Sequence, residues 1–314
     1  MKLTAALACL CAAALGAAGG ASARDVRAAG PVRALATTGV EVAYAAEVRP
    51  RCFELRVWDT SDRGVRRYGS HCFLSTSTGS GVAAVAVSNR RALWLTYTGG
   101  NIREWSLWTR TRTSRATRIR FTTADVDGPA PIVVGSAWEG SLPYAAGRTV
   151  VVLHPNGSRR FAVDAPDRVV SLSAHTRGFA AVLADGRVLT LTREGRPVRE
   201  HAFAPGEVQA AVLAGPGLIA FTRSGVEVRN GASVRRIPLP VGSRFRGFSE
   251  GVLAYAVGTD LRLLRLRDGR SVAFRTLAGT YAQLGRRGVG HASGRRVTFE
   301  AWAVVAAAAA AANR

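Results

Sequence analysis

The chain repeats a unit of roughly forty residues, and this repeat limits its fold more than any other feature. Each copy holds four short apolar runs separated by tight polar turns, and the clearest copy spans Val169–Phe203. The copies Glu207–Leu239 and Phe245–Leu277 follow at the same spacing. Units of this length with four strands each are typical of propeller blades. The sequence therefore predicts an all-β protein, a β-propeller of four-stranded antiparallel blades.

Counting the units along the chain predicts seven blades, with six as the alternative if the last unit is only a closing strand. The units are Val32–Tyr68, Val82–Phe121, Pro131–Val163, Val169–Phe203, Val208–Leu239, Phe245–Leu277 and a shorter one from Tyr281 to about Trp302. The shorter unit lacks an outer strand, and we expect Arg24–Gly30 to supply it. Such pairing would cover a sheet edge that could otherwise aggregate.

The turns between the runs are typical of β-hairpins. Asn156-Gly157, Asp185-Gly186 and Asp268-Gly269 each provide the residues with positive φ that two-residue hairpins favour. Through these turns and its repeats, the chain resembles the bacterial secreted WD40-like and TolB-type propellers over nearly all of its predicted mature length. Trp58-Asp59 is a single Trp-Asp dipeptide without the Gly-His partner of true WD40 repeats. The resemblance implies binding of a protein or polymer at the cell envelope.

Residues 1–23 predict a cleaved signal peptide. Lys2 precedes the apolar stretch Leu3–Leu15, and Ala21-Ser22-Ala23 forms a small-residue cleavage site. The apolar stretch is too short to anchor the chain in a membrane, so we expect no transmembrane segment and a secreted or extracytoplasmic protein. The propeller domain is expected to occupy residues 24–303, followed by an Ala-rich tail, 304–314, that is either a frayed helix or disordered.

Two cysteines, Cys52 and Cys72, remain after the predicted signal peptide. An even pair in an exported protein predicts one disulfide bond, here across the first unit. A metal or redox pair is the alternative, but that would need CxxC spacing or several nearby histidines, and only His71 adjoins the pair.

The chain is strongly basic, with a formal net charge of +22, and Lys2 is its single lysine. An arginine-rich surface can bind anionic polymers through phosphate or carboxylate groups. Arginine without lysine is also the composition that a GC-rich genome produces. The arginines are spread along the chain without long basic runs, which favours the compositional interpretation. We therefore expect no specific nucleic-acid binding.

Ligand binding is expected at the connections between repeats, by analogy with other propellers. The candidate ligand-binding or Ca²⁺-binding residues in these connections are Asp125, Asp127, Asp164, Asp167, Arg168 and Arg244. Two carboxylates one residue apart before Gly128 suit Ca²⁺, although solvated turn aspartates are the simpler interpretation. Apart from this Ca²⁺ hypothesis, no metal or cofactor is predicted.

No catalytic constellation is predicted. Gly247–Gly251 matches a GxSxG motif, but the strand-like run Val252–Val257 follows it where a helix is required. We therefore predict a non-catalytic, monomeric binding or scaffold module for a protein or an anionic envelope polymer. The alternative is a propeller-type lyase or glycosidase, with paired carboxylates or a metal at the channel mouth.

Overall fold

The structure is a computed structural model that describes residues 23–62, 64–73, 79–215, 217–276 and 281–311. The predicted signal peptide lies outside these residues, apart from Ala23. Twenty-eight strands and one helix are present in the described ranges. The strands are rich in Val, Leu, Tyr and Phe, whose branched or aromatic side chains pack well on a pleated surface.

The strands follow one another through the chain with short turns between them. In chain order they are β1 (Arg24–Arg27), β2 (Val32–Thr38), β3 (Glu41–Arg49), β4 (Cys52–Asp59), β5 (Gly64–Cys72), β6 (Gly79–Ser88), β7 (Arg91–Gly99), β8 (Ile102–Thr111), β9 (Thr117–Asp125), β10 (Ile132–Val134), β11 (Leu142–Ala146), β12 (Thr149–Leu153), β13 (Arg159–Asp164), β14 (Val169–His175), β15 (Gly178–Leu183), β16 (Val188–Leu191), β17 (Pro197–His201), β18 (Val208–Ala214), β19 (Gly217–Thr222), β20 (Gly225–Asn230), β21 (Ser233–Pro238), β22 (Arg244–Ser249), β23 (Val252–Val257), β24 (Asp260–Arg265), β25 (Arg270–Thr276), β26 (Ala282–Gly285), β27 (Gly288–Ser293) and β28 (Arg296–Ala301).

Five four-stranded antiparallel sheets account for β2–β5, β6–β9, β10–β13, β14–β17 and β18–β21. The other eight strands form one sheet in the order β1-β28-β27-β26-β22-β23-β24-β25. Within this sheet, β22 and β26 are joined by one parallel pair, Gly247 with Leu284. The five four-stranded sheets coincide with the first five predicted repeats, and the eight-stranded sheet contains the last two together with the N-terminal strand. The all-β propeller fold is confirmed.

The N-terminal strand pairs with the last strand of the chain, as expected. Antiparallel pairing runs from Arg24 opposite Phe299 to Arg27 opposite Arg296. The Ala28 amide donates a 2.7 Å hydrogen bond to the Arg295 carbonyl, and the Ala28 side chain is buried. This pairing covers the edge of β28 that the shorter repeat would otherwise expose.

Neighbouring sheets pack through apolar side chains, as a propeller requires. Between the first two sheets, Trp94 is fully buried and lies in one cluster with Leu55, Tyr68 and Val85. The Trp94 indole Nε1–H donates to His71 Nε2 at 2.9 Å. The Trp94 indole thus fills space between the first two sheets, as large buried aromatic side chains commonly do.

The predicted disulfide bond is present between Cys52 and Cys72. The two residues face each other in the register of β4 and β5. The bond therefore links the third and fourth strands of the first sheet, β4 and β5, at their ends.

The Ala-rich tail is a packed helix, so the expectation of a frayed or disordered segment is wrong for its described part. Helix α1 (Trp302–Ala311) follows β28 directly and packs on β24, β25, β27 and β28. Val305 and Ala309 are its buried residues, one helical turn apart. Small side chains let the helix approach the sheet closely. No helix in the described ranges has the length and hydropathy to span a bilayer.

Candidate ligand-binding site

The strands place their turns at two opposite ends of the propeller. We call one end the turn face; it carries the turns after the first and third strands of each sheet, such as Gly39-Val40 after β2 and Ser61-Asp62 after β4. The first strands of neighbouring sheets run in the same direction, as the parallel bridge between Ser136 and Ser173 shows. Their turns therefore meet at one end. The predicted connections between repeats lie at the other end.

A charged cavity of about 560 Å³ opens on the turn face. Its charged lining residues come from three four-stranded sheets and the eight-stranded sheet, and they are Glu41, Asp59, Arg90, Glu139, Arg286 and Arg287. An aromatic cavity of about 340 Å³ adjoins it and shares Trp138 and Arg286 with it. The turns of many sheets thus build one two-part depression.

Several turns around these cavities have unusual backbone conformations. Among the described residues, five that are not glycine have φ in the left-handed region, and four of them line the two cavities. The four are Asn89 (φ 47°), Arg90 (φ 63°), Glu139 (φ 31°) and Glu250 (φ 46°). Such conformations cost about 1 to 3 kcal/mol each and persist where the surroundings hold them. Here the Tyr68 hydroxyl donates a 2.9 Å hydrogen bond to the Arg90 carbonyl oxygen.

Two neighbouring carboxyl groups of the charged cavity have pKa values shifted in opposite directions. Glu41 and Asp59 are partners across β3 and β4. Glu41 is buried, and the loss of hydration raises its pKa to about 7, although the Arg90 amide donates to its Oε1 at 2.7 Å. Partial burial raises the pKa of Asp59 as well, but hydrogen bonds from the Ser61 hydroxyl and amide outweigh this effect. The pKa of Asp59 is therefore below its usual value.

An ion pair crosses the depression between two sheets. The Arg286 guanidinium, from the turn after β26, contacts the carboxylate of Glu139, from the turn after β10. Both side chains remain partly exposed. A ligand can therefore reach both charges without unfolding the turns.

The aromatic cavity is lined by three rings, with Glu250 and Arg286 as its charged residues. The His175 ring lies 4.1 Å from the Trp138 ring and 5.5 Å from the Phe248 ring, measured between centroids. Burial lowers the pKa of His175 to about 4, so its imidazole is neutral at physiological pH. The Thr176 hydroxyl lies 2.9 Å from His175 Nδ1. These rings offer an apolar surface beside the charged cavity.

The residues predicted from the repeat connections lie away from both cavities. None of the six lines either one; these are Asp125, Asp127, Asp164, Asp167, Arg168 and Arg244. The Asp164 carboxylate accepts a hydrogen bond from the Thr149 hydroxyl at 2.7 Å, and Asp167 accepts one from the Arg168 amide at 2.7 Å.

Across the described ranges, no three His, Cys, Asp or Glu side chains form a group that could hold a metal ion. The Ca²⁺ hypothesis at Asp125 and Asp127 stays a prediction.

The GxSxG motif has a structural explanation. Gly247 has a φ of 123° at the parallel pairing, and a Cβ there would lie 2.3 Å from the Leu284 carbonyl oxygen. Glycine is therefore required for the close approach of β22 and β26. Ser249 is fully buried at the end of β22. Its hydroxyl cannot reach a substrate in this position.

The sheets define the chain as a β-propeller, and the two-part depression on its turn face is its candidate ligand-binding site. No family model matches the chain, and no curated protein matches it by sequence. The solved structures that it resembles share the fold at low sequence identity.

Three of these structures illustrate the likeness. The computationally designed Ika8 protein is 13% identical with a TM-score of 0.50, and the match covers 87% of this chain and 97% of that one. A chain of the Mitotic Checkpoint Complex is 14% identical with a TM-score of 0.55, covering 88% and 94%. Raptor from Chaetomium thermophilum is 15% identical with a TM-score of 0.52, covering 88% of this chain and 29% of Raptor. At such identities the likeness concerns the fold alone.

Proposed function

We propose that the chain is an exported, non-catalytic propeller of seven blades that binds a segment of another protein on its turn face. Residues 1–23 are removed in this proposal, residues 24–303 form the propeller, and its relatives are secreted bacterial WD40-like propellers. The blade count is supported by the eight-stranded sheet, since a single parallel pair joins two sets of four strands in it. One disulfide bond agrees with an oxidising compartment.

The two adjoining cavities carry the proposal of a protein ligand. The aromatic cavity, about 340 Å³, suits one large apolar side chain packed against Trp138, His175 and Phe248. The Glu139–Arg286 pair lies beside it and can contact the polar backbone or a charged neighbour in the same segment. Apolar anchors surrounded by a few placed polar groups are typical of binding sites.

Selection of a displayed random-peptide library on the parent protein tests this proposal. We expect enriched peptides with an apolar anchor, and we expect Arg286→Glu to weaken their binding at least tenfold, about 1.4 kcal/mol. Arg199→Glu, an equal charge change on β17, is the control and should leave binding unchanged. Peptides that bind the Arg286 variant as tightly as the parent would place the site elsewhere.

A second candidate, a carbohydrate-active enzyme, is favoured by Glu41 and Asp59. A carboxyl with a pKa of about 7 beside one with a lowered pKa is the division found in glycosidase acid–base pairs. Protonated Glu41 would give its proton to the leaving glycosidic oxygen, and the Asp59 carboxylate would take a proton from the water that attacks the anomeric carbon. The test is release of reducing ends from a polysaccharide panel, which Glu41→Gln should abolish. No release from any polymer would remove this candidate.

A further inference from the structure

Folding gathers arginines into one basic edge at the seam of the first two sheets. Residues 105–124 form most of the hairpin of β8 and β9 and contain five arginines and no Asp or Glu; Glu104 and Asp125 flank this stretch. Arg66 on β5 joins them, because Arg110 Nη1 donates to the Tyr68 carbonyl at 3.0 Å and links the hairpin to that strand. We define the basic edge as Arg66, Arg110, Arg112, Arg115, Arg118 and Arg120.

No carboxylate neutralises this edge. Every Asp and Glu of the sequence lies within the described ranges, and none of them forms an ion pair with the six arginines there. Arg110 donates instead to carbonyl oxygens, including that of Ser114 at 2.8 Å. Arg118 lies 5.0 Å from the Phe121 ring centroid and 5.8 Å from that of Trp108. The guanidinium groups of Arg110 and Arg118 are oriented while their charge stays available.

The arrangement differs from what edge protection alone requires. Charged residues on outer strands prevent edge-to-edge pairing, and either sign of charge serves that purpose. On β17 the exposed arginine, Arg199, is followed by Glu200. On β9, Arg118 and Arg120 lie on either side of a β-bulge at Ile119; both are exposed, and no acid lies between them. Like charges exposed on an outer strand can contact successive anionic groups of a flexible chain.

The edge offers little for bases to stack on. Phe121 is half exposed, whereas Tyr68 is buried and Trp108 is partly buried. Proteins that bind single-stranded nucleic acids combine positive charge with several exposed aromatic rings. Recognition here rests on guanidinium groups, which fork onto phosphate oxygens.

We propose that the basic edge binds a flexible, base-free polymer with one phosphate group in each repeating unit. Affinity comes from arginine–phosphate contacts and from the counterions that they release. None of the six arginines lines the turn-face cavities, so this site is independent of the proposed protein ligand.

Binding of poly(glycerol phosphate) to the chain from residue 24 onward, across a series from about 50 to about 300 mM salt, tests the proposal. The double substitution Arg118→Gln with Arg120→Gln should weaken binding at least tenfold at the lowest salt. It should also reduce the slope of log K against log salt by about 1.4, since each lost phosphate contact removes about 0.7. The matched control, Arg196→Gln with Arg199→Gln, changes the net charge equally and should weaken binding less than threefold.

Three outcomes would overturn the proposal. Equal losses in both double variants would show that overall charge, and not the edge, binds the polymer. Absence of binding by the parent at the lowest salt would remove the site. Tighter binding of an oligothymidylate with the same number of phosphates would assign the edge to nucleic acid. Melting temperatures within a few degrees of the parent verify that the variants are folded.

Discussion

Replacement of Glu41 by glutamine is expected to flatten the pH dependence of stability. Burial raises the pKa of Glu41 in the folded state to about 7 from its ordinary value of 4.5, so folding takes up a proton between these limits. The contribution of Glu41 is therefore lost as the pH rises through this window. A pKa that differs by one between the folded and unfolded states corresponds to about 1.4 kcal/mol, so Glu41→Gln should gain roughly 3 kcal/mol relative to the parent between about pH 4.5 and pH 8. Denaturant unfolding across this range measures the gain.

The difference between parent and variant isolates Glu41 from other titrating groups. Burial lowers the pKa of His71, His175 and His291, so the stability that they contribute is lost as the pH falls, in the opposite direction. These histidines are common to both proteins and cancel. Glu104→Gln, an exposed change on β8, is the control, and its free energy of unfolding should depend on pH as that of the parent does. The same pH dependence in Glu41→Gln would contradict the burial of a high-pKa carboxyl in the charged cavity.

Replacement of both Cys52 and Cys72 by serine is expected to lower the free energy of unfolding by about 3 kcal/mol. The bond closes a loop between residues 20 apart in sequence, and the chain-entropy model assigns this value to a loop of that length. For a domain of this size, the melting temperature should fall by about 5 °C. Differential scanning calorimetry measures both quantities.

Reduction of the parent protein provides the matched control. Cys72 is exposed, so a thiol reagent can reach the bond. The reduced parent should melt at the temperature of the serine variant, and the reagent should not affect that variant. Oxidised and reduced parent proteins that melt together would show that the bond adds nothing to stability.

The fold was predictable because its signals are local and repeated. Asp185-Gly186 and Asn156-Gly157 specify hairpins through two adjacent residues, and both lie between paired strands in the structure. The apolar run at Gly178–Leu183 is buried throughout and could be assigned to a central strand. The N-terminal strand could be predicted because the last repeat lacks an outer strand of its own.

The site was not predictable because it depends on turns from distant repeats. Asn89, Arg90 and Glu139 look like ordinary turn residues in sequence, and only the convergence of their sheets makes them line one cavity. The sequence instead favoured aspartates in the longer connections between repeats, and these line neither cavity. Burial of Glu41 likewise follows from its position at the start of β3 beneath the Arg90 turn, which no local pattern shows.

The pairing of β1 with β28 also sets an order in time. Asp25 and Arg296, which meet across this seam, are 271 residues apart. At a synthesis rate of roughly 5 to 20 residues per second, the first strand waits roughly 15 to 55 s before its partner has been made. A prematurely terminated chain never offers that partner. The β1–β28 pairing can therefore form only in finished polypeptides, and an incomplete chain leaves its first strand unpaired.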